Sequence, residues 1–83
     1  MNISLSAVPM SALHPGERAT VRGIAVDGDM RRRLQDIGLI RGTPIECVGR
    51  SPLGDPTAFR IRGAVIALRR ADTAQIRVER SWD

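Results

Sequence analysis

Five short segments carry apolar residues at every second position, a pattern typical of β-strands with one buried face. These segments are residues 17–26, 43–50, 58–62, 64–70 and 75–80. In the first segment the apolar parity switches at Gly23, because Ala19 and Val21 lie on one face and Ile24 and Val26 on the other. A bulge or bend at Gly23 is the simplest explanation for this switch.

Between the first two predicted strands the period changes. Apolar residues recur at i, i+4 and i+7, at Met30, Leu34 and Ile37. This spacing predicts a short amphipathic helix. Asp27 or Asp29 is expected to cap its start, and Gly38 to close it in the left-handed conformation.

The sequence SPLGDP at residues 51–56 is a dense turn signal between two predicted strands, which are expected to pair as a hairpin. In this turn Gly54 is expected to supply the unusual backbone angles and Asp55 to bond within its own turn. Pro44 suggests that its strand begins at a sheet edge. The glycines expected to form structural turns are Gly16, Gly38, Gly42 and Gly63.

Five short strands and one helix, inserted after the first long strand, predict an all-β domain. A small closed or nearly closed barrel satisfies the edges of such a sheet best. The chain of 83 residues fits a single domain over residues 1–83, with residues 1–9 a less certain N-terminal extension.

Composition restricts the chemistry. The aromatic residues are Phe59 and Trp82, so the core must be mainly aliphatic, and the single cysteine, Cys47, can form neither an intramolecular disulfide nor a thiolate zinc cluster. Neither a secretory signal nor a run of 18 apolar residues is present. We therefore expect a soluble, cytoplasmic protein in a reducing compartment, without direct insertion into a membrane.

Candidate catalytic groups are sparse. The only histidine, His14, falls in a predicted turn, and Cys47 falls on an apolar strand face, so no nucleophile pairs with a base. We expect no enzymatic activity, no cofactor and no metal site within one chain. A surface metal site shared between two chains through His14 is the remaining metal hypothesis.

All 13 basic residues are arginines, and the formal net charge is +4. This positive balance is compatible with anionic lipid, nucleic acid or an acidic protein surface as a partner.

Several sequence segments together resemble the ferrous iron transport protein A (FeoA) family. They are LHPGE at residues 13–17, RRLQDIGLIRGT at 32–43, SPLGDP at 51–56, ALRR at 67–70 and IRV at 76–78. No single segment is specific, but their order and spacing cover about residues 10–79. Arg41 stands where the family often has proline, and the first nine residues fall outside the pattern.

The resemblance implies an SH3-like barrel, in agreement with the strand count. It also implies a cytoplasmic accessory of FeoB, the membrane ferrous iron transporter that carries a GTPase domain, located at the inner membrane through that partner. The FeoA-like protein would bind the cytoplasmic part of FeoB and modulate it.

Two segments are candidate partner contacts. Three consecutive arginines on the predicted helix can form paired hydrogen bonds with carboxylates of a partner. A solvated helix face is the simpler alternative. At least one of the arginines is expected to pack its stem against the barrel. The proline-stiffened turn can present an outward leucine at low entropic cost, and the alternative is a purely structural role as a hairpin connection. The candidate residues are Arg31, Arg32, Arg33, Leu39, Leu53, Gly54, Asp55 and Pro56.

The second hypothesis is a nucleic-acid-binding or regulatory barrel similar to the SH3-like domain of iron-dependent repressors. The arginines favour it, whereas the scarcity of aromatic residues for base stacking argues against it. A third hypothesis is a homo-oligomer formed through exposed turns or edge strands.

Overall fold

Six antiparallel strands form one sheet in a computed structural model that describes residues 7–81. The strands are β1 (Ala7–Pro9), β2 (Arg18–Ile24), β3 (Pro44–Arg50), β4 (Thr57–Ile61), β5 (Ala64–Leu68) and β6 (Ile76–Arg80). The helices are a 3-10 turn (Met10–Ala12), α1 (Gly28–Asp36) and α2 (Arg70–Thr73). Trp82 and the first six residues of the predicted N-terminal extension lie outside the described residues.

The strand order is β1-β6-β2-β3-β4-β5, and α1 follows the first long strand, β2. The all-β prediction is confirmed, with one strand more than expected. The additional strand is β1, which pairs with β6 through Val8 and Val78. Three residues ending in Pro9 are too short to show an alternating pattern, and long-range pairing alone makes them a strand.

The predicted bulge at Gly23 is present. The pairing of β2 with β6 passes from Val21 opposite Val78 to Gly23 opposite Arg77, which leaves one extra residue in β2. This shift allows Val21, before the bulge, and Val26, beyond the end of β2, both to be buried.

The core is mainly aliphatic, with Phe59 its one aromatic member among the described residues, and it combines side chains of the strands with Leu34 of α1. Its buried members are Met10, Leu13, Ala19, Val21, Val26, Leu34, Leu39, Ile45, Cys47, Phe59, Ile61, Ile76 and Val78. The inward positions predicted for β6 and the burial of Cys47 are confirmed.

Helix α1 ends as predicted. Gly38 has a φ of 90°, and the backbone N–H of Leu39 donates to the carbonyl of Leu34 at 2.9 Å, so the chain folds back over the last helical turn. At the other end, Asp27 occupies the N-cap position but its side chain makes no capping hydrogen bond. The prediction of side-chain capping by Asp27 is therefore wrong.

Pro44 does not mark a sheet edge, because β3 lies between β2 and β4. As the first residue of the strand, Pro44 is at one of the few places where a sheet tolerates the missing N–H. The predicted pairing of β3 with β4 is confirmed.

Candidate functional site

The three arginines of α1 are exposed but do not act as one group. Arg31 Nη1 donates to the carbonyl oxygens of Ile24 at 3.1 Å and Val26 at 3.4 Å, which holds this guanidinium against the end of β2. The side chains of Arg32 and Arg33 form no hydrogen bond or ion pair with other residues in the range 7–81. The arginine that contacts the barrel is therefore Arg31, and the two available for a partner are Arg32 and Arg33.

The β3–β4 loop (residues 51–56) presents Leu53 to solvent with 94% of its surface exposed. Backbone bonds close the loop, from the N–H of Gly54 to Ser51 O at 2.8 Å and from the N–H of Ser51 to Pro56 O at 3.1 Å. Gly54 has a φ of 88°, so it supplies the left-handed conformation that the sequence predicted. Outward presentation of Leu53 thus rests on a hydrogen-bonded turn.

The sequence predicted that Asp55 would bond within its own turn, and this prediction is wrong. Its Oδ1 accepts a hydrogen bond at 2.9 Å from the backbone N–H of Arg70, the first residue of α2. The sequence could not show this contact because the two residues are 15 positions apart. The β3–β4 loop is consequently attached to the end of β5 and the start of α2.

Leu39 was predicted to contact a partner, but its side chain is buried and is not available for such a contact. It is fully buried in the core, because the left-handed turn at Gly38 directs the next side chain inward. The neighbouring Ile40 is 42% exposed instead. A leucine that follows the glycine closing an amphipathic helix is a common signal of such an inward return.

A groove of about 290 Å³ lies between α1 and β5. Its apolar lining comes from both walls, and its charged lining comes from Arg33, Arg69 and Asp72. Sequence analysis selected Arg33 as a candidate contact, but it did not select Arg69 or the predicted strand that became β5. The available signal was the uninterrupted apolar sequence AVIAL between pairs of arginines, which differs from the alternation of a half-buried strand.

A second cavity of about 500 Å³ is open to solvent where the ends of β2, β3 and β4 meet. Three arginines line it: Arg18, Arg60 and Arg62. Two of them are engaged, since Arg60 pairs with Glu46 at 3.6 Å and Arg62 Nε donates to Gly38 O at 3.2 Å. Sequence analysis did not single out these residues.

His14 is exposed in the turn before β2, where its backbone N–H donates to Glu17 Oε1 at 2.7 Å. This bond, followed by the nearby guanidinium of Arg80, holds the pKa of Glu17 below its ordinary value despite opposing desolvation. Across residues 7–81 no three His, Cys, Asp or Glu side chains come together as a metal site. The shared surface site through His14 stays a prediction.

Cys47 is fully buried in β3, and burial is the main cause that raises the pKa of its thiol. A buried neutral thiol is a poor nucleophile and a poor metal ligand. Helix α1, at nine residues the longest in the described range, falls well short of a bilayer, and no helix there is long and apolar enough to cross one.

Comparison with known proteins places these features in one family. Residues 8–80 match the FeoA domain family. A Porphyromonas gingivalis protein described as a fusion of Fe(2+) transport protein A with the Fe(2+) transporter FeoB is 37% identical over 70 residues, or 84% of this chain. The match spans only 8% of the length of that relative.

Solved structures agree with the fold. The FeoA protein of Chlorobium tepidum is 36% identical, with a TM-score of 0.83 over 88% of this chain and 70% of that one. Stenotrophomonas maltophilia FeoA, described as an SH3 domain protein in complex with zinc, is 23% identical, with a TM-score of 0.74 over 84% and 87% of the two chains. The IdeR protein of T. acidophilum is 22% identical, with a TM-score of 0.80 over 92% of this chain and 35% of that one. The last two likenesses bear on the fold alone, and they agree with the SH3-like prediction.

Proposed function

The chain belongs to the FeoA domain family, which is associated with ferrous iron transport, and from this membership we propose that it is a non-enzymatic accessory that binds the cytoplasmic part of a FeoB-type transporter and modulates it. The observation that carries the proposal is the relative in which an FeoA domain and FeoB are parts of one polypeptide. Covalent linkage gives two domains a high effective concentration for each other. An FeoA domain that is not linked in this way must reach the same association through the affinity of its surface.

The surface offers two kinds of contact suited to a protein partner. Leu53 is almost completely exposed at the tip of the β3–β4 loop, and burying such a side chain contributes about 1.5 to 3 kcal/mol. Arg32 and Arg33 project from α1 without carboxylate partners in the described part of the chain. Their planar guanidinium groups are suited to paired hydrogen bonds with acidic side chains.

The proposed setting is the cytoplasmic side of the inner membrane, which the protein reaches through its partner. A net charge of +4 favours association with an acidic protein surface and raises the rate of encounter at low salt. Modulation of the partner would follow from binding one of its conformations more tightly than another.

The direct test is calorimetric titration of the purified chain into the cytoplasmic domain of the FeoB-type transporter. We expect binding that weakens by about tenfold or more with Leu53→Asp, because this change places a charge in an apolar contact. Arg33→Glu is expected to weaken binding and reduce its salt dependence. Leu53→Met and Arg77→Glu are the matched controls, since the first conserves the apolar contact and the second reverses the charge of an exposed residue of β6, outside α1 and the β3–β4 loop.

In cells, deletion of the protein should reduce ferrous iron uptake, and the wild-type chain should restore it. Unchanged uptake after deletion, together with no binding in the titration, would contradict the proposed function.

The regulatory or nucleic-acid-binding alternative has one specific observation in its favour, the arginine-lined cavity near Arg18 and Arg62. The same titration with duplex DNA and with RNA across a salt series separates it from the main proposal. Binding to phosphates must weaken steeply as salt rises. We expect no measurable binding at physiological salt.

A further inference from the structure

Among the strands of residues 7–81, β5 lies at an edge of the sheet and pairs with β4 alone. Its five residues, Ala64–Leu68, are all apolar and contain neither a charge nor a proline. Natural proteins usually protect such an edge by shortening it, charging it, or covering it with another element. Here a groove of about 290 Å³, lined by residues of both elements, lies between α1 and β5.

The turn between β4 and β5 determines which backbone groups face the open edge. Arg62 and Gly63 have φ values of 51° and 83°, as in a two-residue type I′ hairpin. In this hairpin Ile61 and Ala64, which flank the turn, form the first hydrogen-bonded pair. Because hydrogen-bonded and non-hydrogen-bonded pairs alternate in an antiparallel ladder, the N–H and C=O groups of Val65 and Ala67 point away from β4.

The lining of the groove beside this edge is mainly apolar, with three charged residues. Met30 and Ile37 of α1 face Ile66 and Leu68 of β5, and all four side chains are only partly buried. A strand added to β5 would place every second side chain in this groove and the others on the outer surface. The groove is thus suited to an extended segment with apolar residues at alternate positions.

Charge indicates which segment would bind. Arginines bracket β5 at both ends, with Arg60 and Arg62 before it and Arg69 and Arg70 after it. Arg33 and Arg69 line the groove and have no ion pair in residues 7–81, whereas Asp72 is the only acidic residue of the lining. Antiparallel edge-to-edge pairing of two copies would place Arg69 of one copy near Arg62 of the other, and this like-charge approach is unfavourable. An acidic segment of another protein would instead neutralise Arg33 and Arg69.

We infer that the open edge of β5 and its groove against α1 bind an extended, acidic and apolar segment of the transporter's cytoplasmic part as an additional β-strand. This inference rests on the proposed function and specifies its binding mode. Main-chain hydrogen bonds to Val65 and Ala67 supply affinity, and the groove together with Arg33 and Arg69 supplies specificity.

The test uses proline, which blocks strand addition without breaking the existing ladder. In Ala67→Pro the lost N–H is one that points away from β4, a position that edge strands tolerate, so the fold is retained while the added strand loses a donor and meets the proline ring. We expect affinity for the transporter's cytoplasmic domain to fall by about tenfold or more. Ala71→Pro is the matched control, because its N–H lies in the first turn of α2, where proline is tolerated.

A second readout reports the backbone directly. In ¹⁵N-labelled protein the free amide protons of Val65 and Ala67 should exchange rapidly, and exchange of both should slow at least about tenfold when the transporter domain is bound. Amide spectra of the free variants verify that Ala67→Pro remains folded.

Each outcome has a distinct meaning. If the wild type binds the transporter domain but Ala67→Pro binds equally well, with no change in exchange at Val65 and Ala67, the strand-addition inference is overturned and the proposed function stands. Failure of the wild type to bind overturns both. A concentration-dependent dimer in sedimentation that Ala67→Pro dissociates would show that a second copy occupies the edge, and would also overturn the inference.

Discussion

Arg62 lies directly over Gly38. Its Nε donates a hydrogen bond at 3.2 Å to the Gly38 carbonyl, and its side chain occupies the space that a Cβ at position 38 would enter. This contact joins the β4–β5 turn to the end of α1, two elements that are 24 positions apart in the chain. It therefore connects the turn that precedes β5 to the residue that closes α1.

Gly38→Ala should destabilise the protein by about 1 to 3 kcal/mol, because a side chain at a φ of 90° is strained and displaces Arg62. Gly16→Ala is the matched control, since Gly16 has a φ of 94° but open space where a Cβ would be. Denaturant unfolding should show a smaller loss for Gly16→Ala. In an Arg62→Ala background the difference between the two glycine variants should shrink, and an undiminished difference would argue against the contact.

Leu39→Ala should cost about 2 to 5 kcal/mol of unfolding free energy, because it leaves a cavity in the core. Leu53→Ala removes the same atoms from a side chain that is 94% exposed, and its cost should stay within about 0.5 kcal/mol. Denaturant midpoints measure both. Equal costs at the two positions would contradict the burial described for Leu39.

Glu17 should contribute to acid sensitivity. Its carboxylate accepts the His14 N–H bond and pairs with Arg80 Nε at 3.0 Å, and its pKa in the fold is lowered from 4.5. A lowered pKa means that this stabilisation is complete above the unfolded value and is lost as the pH falls through the folded value. The unfolding free energy of the wild type should therefore drop more between about pH 7 and pH 3 than that of Glu17→Gln.

Asp36→Asn, which removes one exposed carboxylate from α1, is the control for the loss of a negative charge. If the loss of any one carboxylate flattened the profile, Asp36→Asn would do so as much as Glu17→Gln; we expect a smaller change. A Glu17→Gln profile parallel to the wild type would show that the His14 and Arg80 contacts do not depend on the charge of Glu17.

Cys47 should react slowly with a disulfide reagent in the native protein, because the thiol is buried and its pKa is raised. Labelling then requires opening of the fold, so the rate should increase in the destabilised Leu39→Ala variant and become fast in denaturant. Leu53→Ala should label at the wild-type rate. Rapid labelling of the native wild type would contradict the position of Cys47 in the core.

Much of the fold could be predicted because local patterns encode it. The parity switch at Gly23 indicated the bulge, the spacing of Met30, Leu34 and Ile37 indicated α1, and the turn signal at residues 51–56 indicated the β3–β4 hairpin. Each of these signals depends on residues a few positions apart. For the same reason, the exposure of candidate contacts could be predicted only where the chain is locally informative, at Leu53 and the arginines of α1, and their contact with a partner stays a prediction.

The errors have a common cause. Asp55 bonds Arg70, Leu39 turns into the core, and Pro44 begins an internal strand, and each of these facts depends on which distant segment lies beside the residue. The same holds for β1, which exists only through its pairing with β6.

The sequence by itself determined the alternation of the strands, the period of α1 and the glycine turns, because backbone conformation and one-sided burial act over a few residues. Only the tertiary structure decided that β5 lies at an open edge and that Arg33 and Arg69 border the same groove. These relationships arise from strand order and from the position of α1, which are set by the combined burial of side chains from the whole chain.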